Sequence, residues 1–312
     1  MAVRWPSSSS IPSSGRSFAA SFRDRIVHHL LYRWLLPIVL PRFIYDSYSC
    51  IEGRGTDFGV ARLEHFIWSV SQNYTKPCWV LRLDLKGYFM AINRRKLFDI
   101  ILALVHKTGN DRRPEWPVIR YLLGKVIFND CTKGCRIKGS RADWKGLPKD
   151  KSLFHSRAGC GLPIGNLTSQ LFSNIYLDLL DQYCKRVLKC RCYGRYVDDI
   201  FIVGHSREEL LPHINAIRTF LKDELFLDLH PKKIWLHRQE EGVPFLGVIL
   251  KNGKRQMSRR SRHKMQTRLT DAVCFENNPF RVRACMESYK GFSGKFPDGK
   301  KLIRKFQPIH SA

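Results

Sequence analysis

The sequence has no long hydrophobic run. Its most apolar stretch, Ile26 to Ile44, is broken by His28, His29, Arg33, Pro37, Pro41 and Arg42, whereas a bilayer span needs roughly 20 consecutive apolar residues. Met1–Ala20 has no apolar middle, so no secretory signal is read there. Cysteine is sparse, with ten in 312 residues and no Cys-x-x-Cys pair, which excludes a disulfide scaffold. Cys131, Cys135, Cys184, Cys190 and Cys192 are irregularly spaced, and no histidine stands at finger distance. A zinc site is therefore not expected, and reduced thiols in the cytoplasm are. Acid is scarce too: 27 Asp+Glu stand against 54 Lys+Arg, a net charge of +27. Such an excess implies a polyanionic partner, with nucleic acid ahead of a membrane surface. A merely solvated basic surface is the plain alternative.

What the chain does contain is enough apolar material for a core, 44% of its residues, and a length that suggests about two structural units. Residues 1–15 are Ser/Pro-rich and read as disordered; they also lack acid, as a mitochondrial transit peptide would. Residues 22–45 read as a helix with apolar positions at Ile26, Leu30, Leu31, Trp34 and Leu35, ending at Pro37. A glycine-bearing loop (SCIEGRGTDFG) leads to a helix (ARLEHFIWSVSQ). The run WVLRLDLKGYF alternates Val80, Arg82 and Asp84 against Trp79, Leu81 and Leu83, which predicts a strand ending near Asp84. RRKLFDIILALVHK reads as a helix. Residues 130–158, with eight Lys/Arg and three acids, read as a basic loop or insertion. NLTSQLFSNIYLDLLDQYCKRVL predicts a long amphipathic helix with Leu171, Ile175, Leu179 and Tyr183 on one face. CYGRYVDDIFIVG predicts a hairpin, REELLPHINAIRTFLKDEL a helix, and the run to LGVIL strand and turn. Lys251–Arg268 carries eight Lys/Arg and no acid, and residues 251–312 hold sixteen basic and four acidic residues. A terminal subdomain gripping a phosphodiester backbone would look like this.

Two acidic positions carry chemistry. Asp84 ends an apolar strand, and Asp198-Asp199 sit between Tyr196-Val197 and Ile200-Phe201-Ile202. Carboxylates wedged into apolar strands cost desolvation unless something pairs with them. Acids on adjacent strand ends can hold two Mg²⁺ ions, and such a pair stabilises the attacking and leaving oxygens of an in-line phosphoryl displacement. Asp-Asp alone could be an ordinary turn. Tyr-x-Asp-Asp in a hairpin, with a strand aspartate upstream and a net charge of +27, is far more specific.

These residues resemble the reverse transcriptases. Tyr196-Val197-Asp198-Asp199 is similar to their YxDD box, and LDLKGYF (Leu83–Phe89) to their first metal-binding motif. GVPFLG (Gly242–Gly247) resembles the primer-grip hairpin, and LHPKK (Leu229–Lys233) the lysine-bearing motif before it. The order and spacing agree from about Phe18 to Phe306. A finer resemblance is to the diversity-generating retroelement type. There a Gly-x-x-x-Ser-Gln box, here Gly165-Asn166-Leu167-Thr168-Ser169-Gln170 within GLPIGNLTSQ, replaces the Gln-Gly-x-x-x-Ser-Pro of group II intron and retron enzymes. FRDRIVHHLLY (Phe22–Tyr32), FIYDSYSC (Phe43–Cys50), DWKGLP (Asp143–Pro148) and KSLF (Lys151–Phe154) are also similar to that subgroup, whose enzymes copy a template-repeat RNA into cDNA with errors at adenines.

The resemblance implies a fold and roles. The fold is an α+β right-hand polymerase: a palm with a small antiparallel sheet, reduced fingers, and a helical basic thumb. Residues 16–250 would be fingers and palm, and 251–312 the thumb-like region. Asp84, Asp198 and Asp199 would hold two Mg²⁺, with Mn²⁺ able to substitute; Asp84 and Asp198 bridge both ions and Asp199 is secondary. Phe89 would be the steric gate that excludes a ribose 2′-OH. Arg54, Arg23 and Arg25 would meet the incoming triphosphate, with Gln170 at the nucleotide. Lys233 would protonate the leaving pyrophosphate. Pro163, Gly165 and Ser169 would line the template and nascent pair, Phe245, Leu246 and Gly247 the primer, and Arg259, Arg260 and Arg262 the duplex backbone. The implied partners are an RNA template, a DNA or RNA primer, dNTPs and a small basic accessory protein, with no membrane. Only about twenty residues precede Phe22-Arg23-Asp24-Arg25, fewer than family members usually carry, so truncated fingers or a mispredicted start is expected. Glu52 stands where the subgroup often has a basic residue. No RNase H or endonuclease pattern is read. The alternatives are a group II intron-type or retron-type enzyme, against which Gln170 stands, and a catalytically dead nucleic-acid-binding relic. A viral RNA-directed RNA polymerase fits less well, because Val197 occupies the place where those enzymes usually show Gly.

Overall fold

The computed structural model describes residues 18, 20–133, 135, 148–275 and 279–306. The Ser/Pro-rich start and most of the DWKGLP segment lie outside the described residues. Among the described residues the chain divides into two compact units, one of 18–63 and 79–236, the other of 64–78 and 237–306.

The larger unit opens with α1 (Phe22–Val39), capped by the Ser21 side chain, which accepts from the Asp24 backbone N–H. The helix does not stop at Pro37, as the sequence suggests, but runs on to Val39 and a 3₁₀ turn over Leu40–Arg42. Proline removes one bond, to the Arg33 carbonyl, and both residues face solvent, so water can replace it. The buried face is also corrected. Leu31, Leu35, Ile38 and Val39 face the core, whereas Phe22, Ile26 and Leu30 are exposed.

Helix α2 (Thr56–Val70) starts earlier than the sequence reading placed it. Strand β1 (Trp79–Asp84) is followed by a four-residue helix α3 (Tyr88–Ala91), then α4 (Arg94–Lys107), whose N-cap Asn93 accepts from the Lys96 N–H. Helix α5 (Trp116–Phe128) has no counterpart in the sequence reading. It buries Ile119, Leu123 and Ile127 and packs on α1 and α4. Within the basic 130–158 stretch, the described part holds two 3₁₀ turns, Lys149–Lys151 and Leu153–His155.

Helix α6 (Leu167–Gln182) continues into a π turn over Tyr183–Val187. It is not amphipathic in the expected one-sided way. Phe172, Tyr176, Leu177 and Leu180 are buried as fully as Leu171 and Ile175, along with Ser169, Ser173, Asn174, Asp178 and Asp181. Leu179 and Tyr183 are only half-buried. A helix buried on nearly all sides belongs in the middle of a core, and α6 packs on α1, α4 and α7 (Arg207–Leu225).

Strands β2 (Tyr193–Tyr196) and β3 (Asp199–Gly204) form the predicted hairpin. With β1 and β4 (Trp235–Arg238) they make a four-stranded sheet in the order β2-β3-β1-β4. Strand β1 lies antiparallel to β3 in the register Trp79↔Gly204 through Asp84↔Asp199. Gly194 is required in β2, because a Cβ there would run into the Tyr48 hydroxyl and the Phe201 ring.

In the smaller unit, β5 (Val243–Phe245), β6 (Val248–Lys251) and β7 (Lys254–Met257) form an antiparallel meander. Helices α8 (Arg259–Phe275), α9 (Pro279–Ser293) and α10 (Pro297–Phe306) follow and pack on one another. The α+β class expected from the sequence is the one observed, with small antiparallel sheets. No helix among the described residues is long and apolar enough to cross a membrane.

Candidate active site

The register of β1 and β3 puts Asp84 directly opposite Asp199, and Asp198 lies in the turn that joins β3 to β2. Like charges facing each other across antiparallel strands repel. Two cations offset this. The Lys233 Nζ donates to Asp84 Oδ2 at 2.6 Å, and Arg82 Nη2 donates to both oxygens of Asp199 at 2.8 Å. Backbone hydrogen bonds bring Lys233 there. The Asp84 carbonyl accepts from the His230 N–H at 2.8 Å, the Asp228 carbonyl from the Lys86 N–H at 2.9 Å, and the His230 carbonyl from the Lys233 N–H at 3.1 Å. The LHPKK segment is thus laced to the strand end that carries Asp84.

Among the described residues, no cation pairs directly with Asp198. Burial, then the Asp84 charge, pushes its carboxyl up to about 7. Burial also raises Asp199, with Arg82 acting against it. Among the described residues, no three His, Cys, Asp or Glu side chains are gathered into a ready metal-ligand set.

Phe89 lies on α3 with its ring partly buried, edge-on to Tyr88 at 5.4 Å between centroids. Its carbonyl accepts from the Leu162 N–H at 2.8 Å, so the GLPIG loop is docked against the steric-gate candidate. Pro163 is buried and Gly165 exposed, while in the first turn of α6 Ser169 is buried and Gln170 exposed. The neighbouring Thr168 Oγ1 shares a 2.7 Å hydrogen bond with His28 Nδ1 of α1. Burial lowers the His28 pKa.

Arg54 Nη1 donates to the carbonyls of Ile44 and Ser47 at 2.8 and 2.9 Å, and its guanidinium lies 5.3 Å from the Tyr45 ring. That nitrogen holds its own loop. Arg23 and Arg25 are exposed on the first turn of α1. Among the described residues, no hydrogen bond or ion pair joins either of them, or Gln170, to the three aspartates.

In the smaller unit, Phe245 is buried and Leu246-Gly247 form the β5–β6 turn, both at positive φ. Gly247 stands at φ +86°, and a Cβ there would sit 2.8 Å from Ser261 Oγ. Its carbonyl accepts from the Ser258 N–H at 2.9 Å and from the Ser261 hydroxyl at 3.2 Å, so the hairpin turn is tied to the start of α8. Arg259 and Arg260 are exposed there. Arg262 pairs with Asp298 at the start of α10.

Two features escaped the sequence reading. One is Arg82. The other is a buried network behind the hairpin. Arg195 is fully buried. Its Nε and Nη2 fork onto Asp181 at 2.7 and 2.6 Å, Nη1 donates to the Val197 carbonyl at 2.9 Å, and Nη2 reaches Ser47 Oγ at 3.2 Å. Tyr193 donates to Asp181 at 2.6 Å. The Arg195 backbone bonds to the loop before α2, accepting from the Tyr48 N–H and donating to the Asp46 carbonyl. Removing one partner of a buried pair costs about 3–5 kcal/mol. The available signal was an arginine inside the apolar strand YGRYV.

Comparison with known proteins decides the family. The model of "Reverse transcriptase (RNA-dependent DNA polymerase)" matches residues 12–250. The chain belongs to the reverse transcriptase family. A curated relative, the "Putative COX1/OXI3 intron 2 protein" of Saccharomyces cerevisiae, is 22% identical over a match covering 58% of this chain. The chain spans 25% of that relative's length. Among solved structures, apo telomerase from Candida tropicalis aligns at a TM-score of 0.54 and 11% identity, over 90% of this chain and 48% of that one. Telomerase from the same organism in complex with a TWJ fragment of telomeric RNA aligns at 0.52 and 12%, over 88% and 47%. These likenesses establish a shared reverse transcriptase fold.

Proposed function

We propose that this chain is an RNA-directed DNA polymerase that adds dNMP to a primer 3′-OH on an RNA template. The observation that carries the reading is Asp84 opposite Asp199 across β1 and β3, with Asp198 in the adjoining turn, in a chain of this family.

The donors suit hard divalent cations such as Mg²⁺ or Mn²⁺, which take carboxylate oxygens. Burial and the Asp84 charge push the Asp198 carboxyl up to about 7, so added positive charge there favours its ionised form. Asp84 and Asp198 would hold the ions, with Asp199 secondary because Arg82 already occupies its carboxylate. Bound there, such ions supply Lewis-acid stabilisation of the attacking and leaving oxygens.

The remaining work falls to the chain. The primer 3′-hydroxyl gives up its proton to water as its oxygen bonds to the α-phosphorus of the dNTP, the bond from that phosphorus to the bridging oxygen breaks, and the ammonium of Lys233 gives its proton to the departing pyrophosphate. The half-exposed Phe89 ring stands beside the sugar and excludes a 2′-hydroxyl. Pro163, Gly165, Ser169 and Gln170 face the nascent pair, and Arg23, Arg25 and Arg54 attract the triphosphate. Phe245, Leu246 and Gly247 support the primer, and Arg259, Arg260 and Arg262 the duplex backbone. The free thiols among the described residues fit the reducing cytoplasm.

Within the family, the string Gly165 to Gln170 favours the diversity-generating retroelement type, with a template-repeat RNA and a small basic accessory protein as partners. A second reading, an intron-type enzyme, is favoured by the yeast intron-protein relative. Primer extension by the purified chain on an RNA template, with sequencing of the product, tests both levels. Absence of extension by folded protein rejects the polymerase reading. Accurate copying of template adenines rejects the retroelement type alone.

A further inference from the structure

The turn that presents Asp198 is strained. Val197 stands at φ +56°, a region that β-branched residues avoid because of Cβ sterics. Such a residue persists only where its surroundings over-determine it. The group that reaches the turn is Arg195, through the 2.9 Å bond from Nη1 to the Val197 carbonyl. The other two guanidinium nitrogens are anchored on Asp181, on the central helix α6. A fork anchored on a core helix leaves the third nitrogen little freedom.

We propose that Arg195 is a positioning residue for nucleotide addition: anchored on Asp181, it clamps the Val197 carbonyl and so holds the Asp198 carboxylate beside Asp84. The inference rests on the polymerase reading of the three aspartates. Burying the pair is no sufficient reason for it to exist, since a well-packed apolar replacement often folds as well. What an apolar replacement cannot supply is the donor to the turn. Lysine cannot replace the arginine either, since its single ammonium lacks the planar fork that serves Asp181 and the turn together.

The test compares the full chain with three variants. In Asp181→Leu/Tyr193→Phe/Arg195→Met the charged pair and the Tyr193 hydroxyl, which would lose Asp181, are removed together; Ser47 Oγ and Asn174 Oδ1 each lose a donor. Arg195→Lys keeps the charge and loses the fork. Arg195→Met alone strands Asp181. Melting temperature, Kd for template–primer, kcat and KM for dNTP, and hydrogen exchange of the Val197 and Asp198 amides are measured for each. A displacement of about 1 Å can cost about 100-fold in rate. The triple variant should melt near the parent, bind template–primer and dNTP within a few-fold of it, lose about 100-fold in kcat, and exchange faster at those two amides. Arg195→Lys should likewise fold and lose rate. Recovery of kcat along with melting temperature in the triple variant would overturn the clamp and leave Arg195 as core filling. If the triple variant does not fold, full kcat in Arg195→Lys overturns it equally. A folded parent that adds no nucleotide rejects the polymerase reading instead; unchanged exchange at Val197 and Asp198 in the variants then rejects the clamp on its own.

Discussion

Lys233 and Asp84, far apart in the chain, meet at 2.6 Å between Nζ and Oδ2. The pairing is built by the backbone of residues 228–233 against Lys86 and the carbonyl of Asp84. Lys233 is half-exposed, so its ammonium can leave the carboxylate for a phosphate without crossing a buried region. Lys233→Ala should lower single-nucleotide incorporation at saturating dNTP by about 100-fold or more, the range for loss of a general acid. Rapid-quench kinetics checks this. An unchanged rate would leave Lys233 as a counter-ion for Asp84 only.

Asp198→Asn should abolish primer extension on an RNA template while RNA binding persists. One lost carboxylate disables the chemistry, whereas binding is spread over many of the 54 Lys/Arg residues. Extension assays and a binding isotherm on the same preparation separate the two. Substantial activity in the variant would sink the role of Asp198.

Phe89→Ala should admit ribonucleotides. The ring is five residues beyond Asp84, on α3, and is only partly packed on the core. Its removal should narrow the dNTP-to-rNTP ratio of kcat/KM by orders of magnitude while costing dNTP use less. Melting temperature must be measured alongside, and a folded variant that still rejects rNTPs would return Phe89 to a packing role.

Binding of template–primer should weaken steeply with salt. Each phosphate contact contributes a slope of roughly −0.7 to −0.9 in log K against log[salt]. Neutralising Arg259 and Arg260 together should flatten the slope by about 1.4 to 1.8. Adding Arg262 should lower the melting temperature as well, because it breaks the pair with Asp298. A slope unchanged in the double variant rejects the proposed grip on the duplex.

His28 makes stability depend on pH. Burial holds its folded pKa below the ordinary 6.5. The unfolded chain therefore binds the proton first as pH falls, so stability is complete above about pH 6.5 and is lost from there down towards the folded value. The melting temperature should drop between pH 7.5 and 5.5, and His28→Gln should shrink that drop. Equal drops in parent and variant would refute the assignment.

The three aspartates were legible because each breaks an apolar strand, and a local pattern suffices to see that. The hairpin and α4 were legible for the same reason: their apolar periods are clean. The face of α1 was not, because Ile26 and Leu30 are apolar yet exposed, and periodicity alone cannot tell which stripe the core takes. Helix α5 was hidden by apolar residues on both sides, with Ile119 and Leu123 buried and Val118 and Tyr121 exposed. Arg82 on Asp199 and Arg195 on Asp181 join residues 117 and 14 positions apart, and such pairings depend on strand register and helix packing. That Arg262 would turn to Asp298 is equally invisible before α8 and α10 are packed.

Beyond the exposed Gln170 in its first turn, helix α6 shows almost no face to solvent, and this sets the order in which the larger unit can be made. One of its neighbours, α7, spans residues 207–225, and β3, which pairs with β1, ends at residue 204. While the ribosome is still extending the chain through these residues, β1 has emerged without β3, and α6, which already has α1 and α4, without α7. Closure of the unit therefore waits for β3 and α7, and until they are made the nascent chain leaves part of β1 and α6 uncovered, a natural client for chaperones that shield apolar surface.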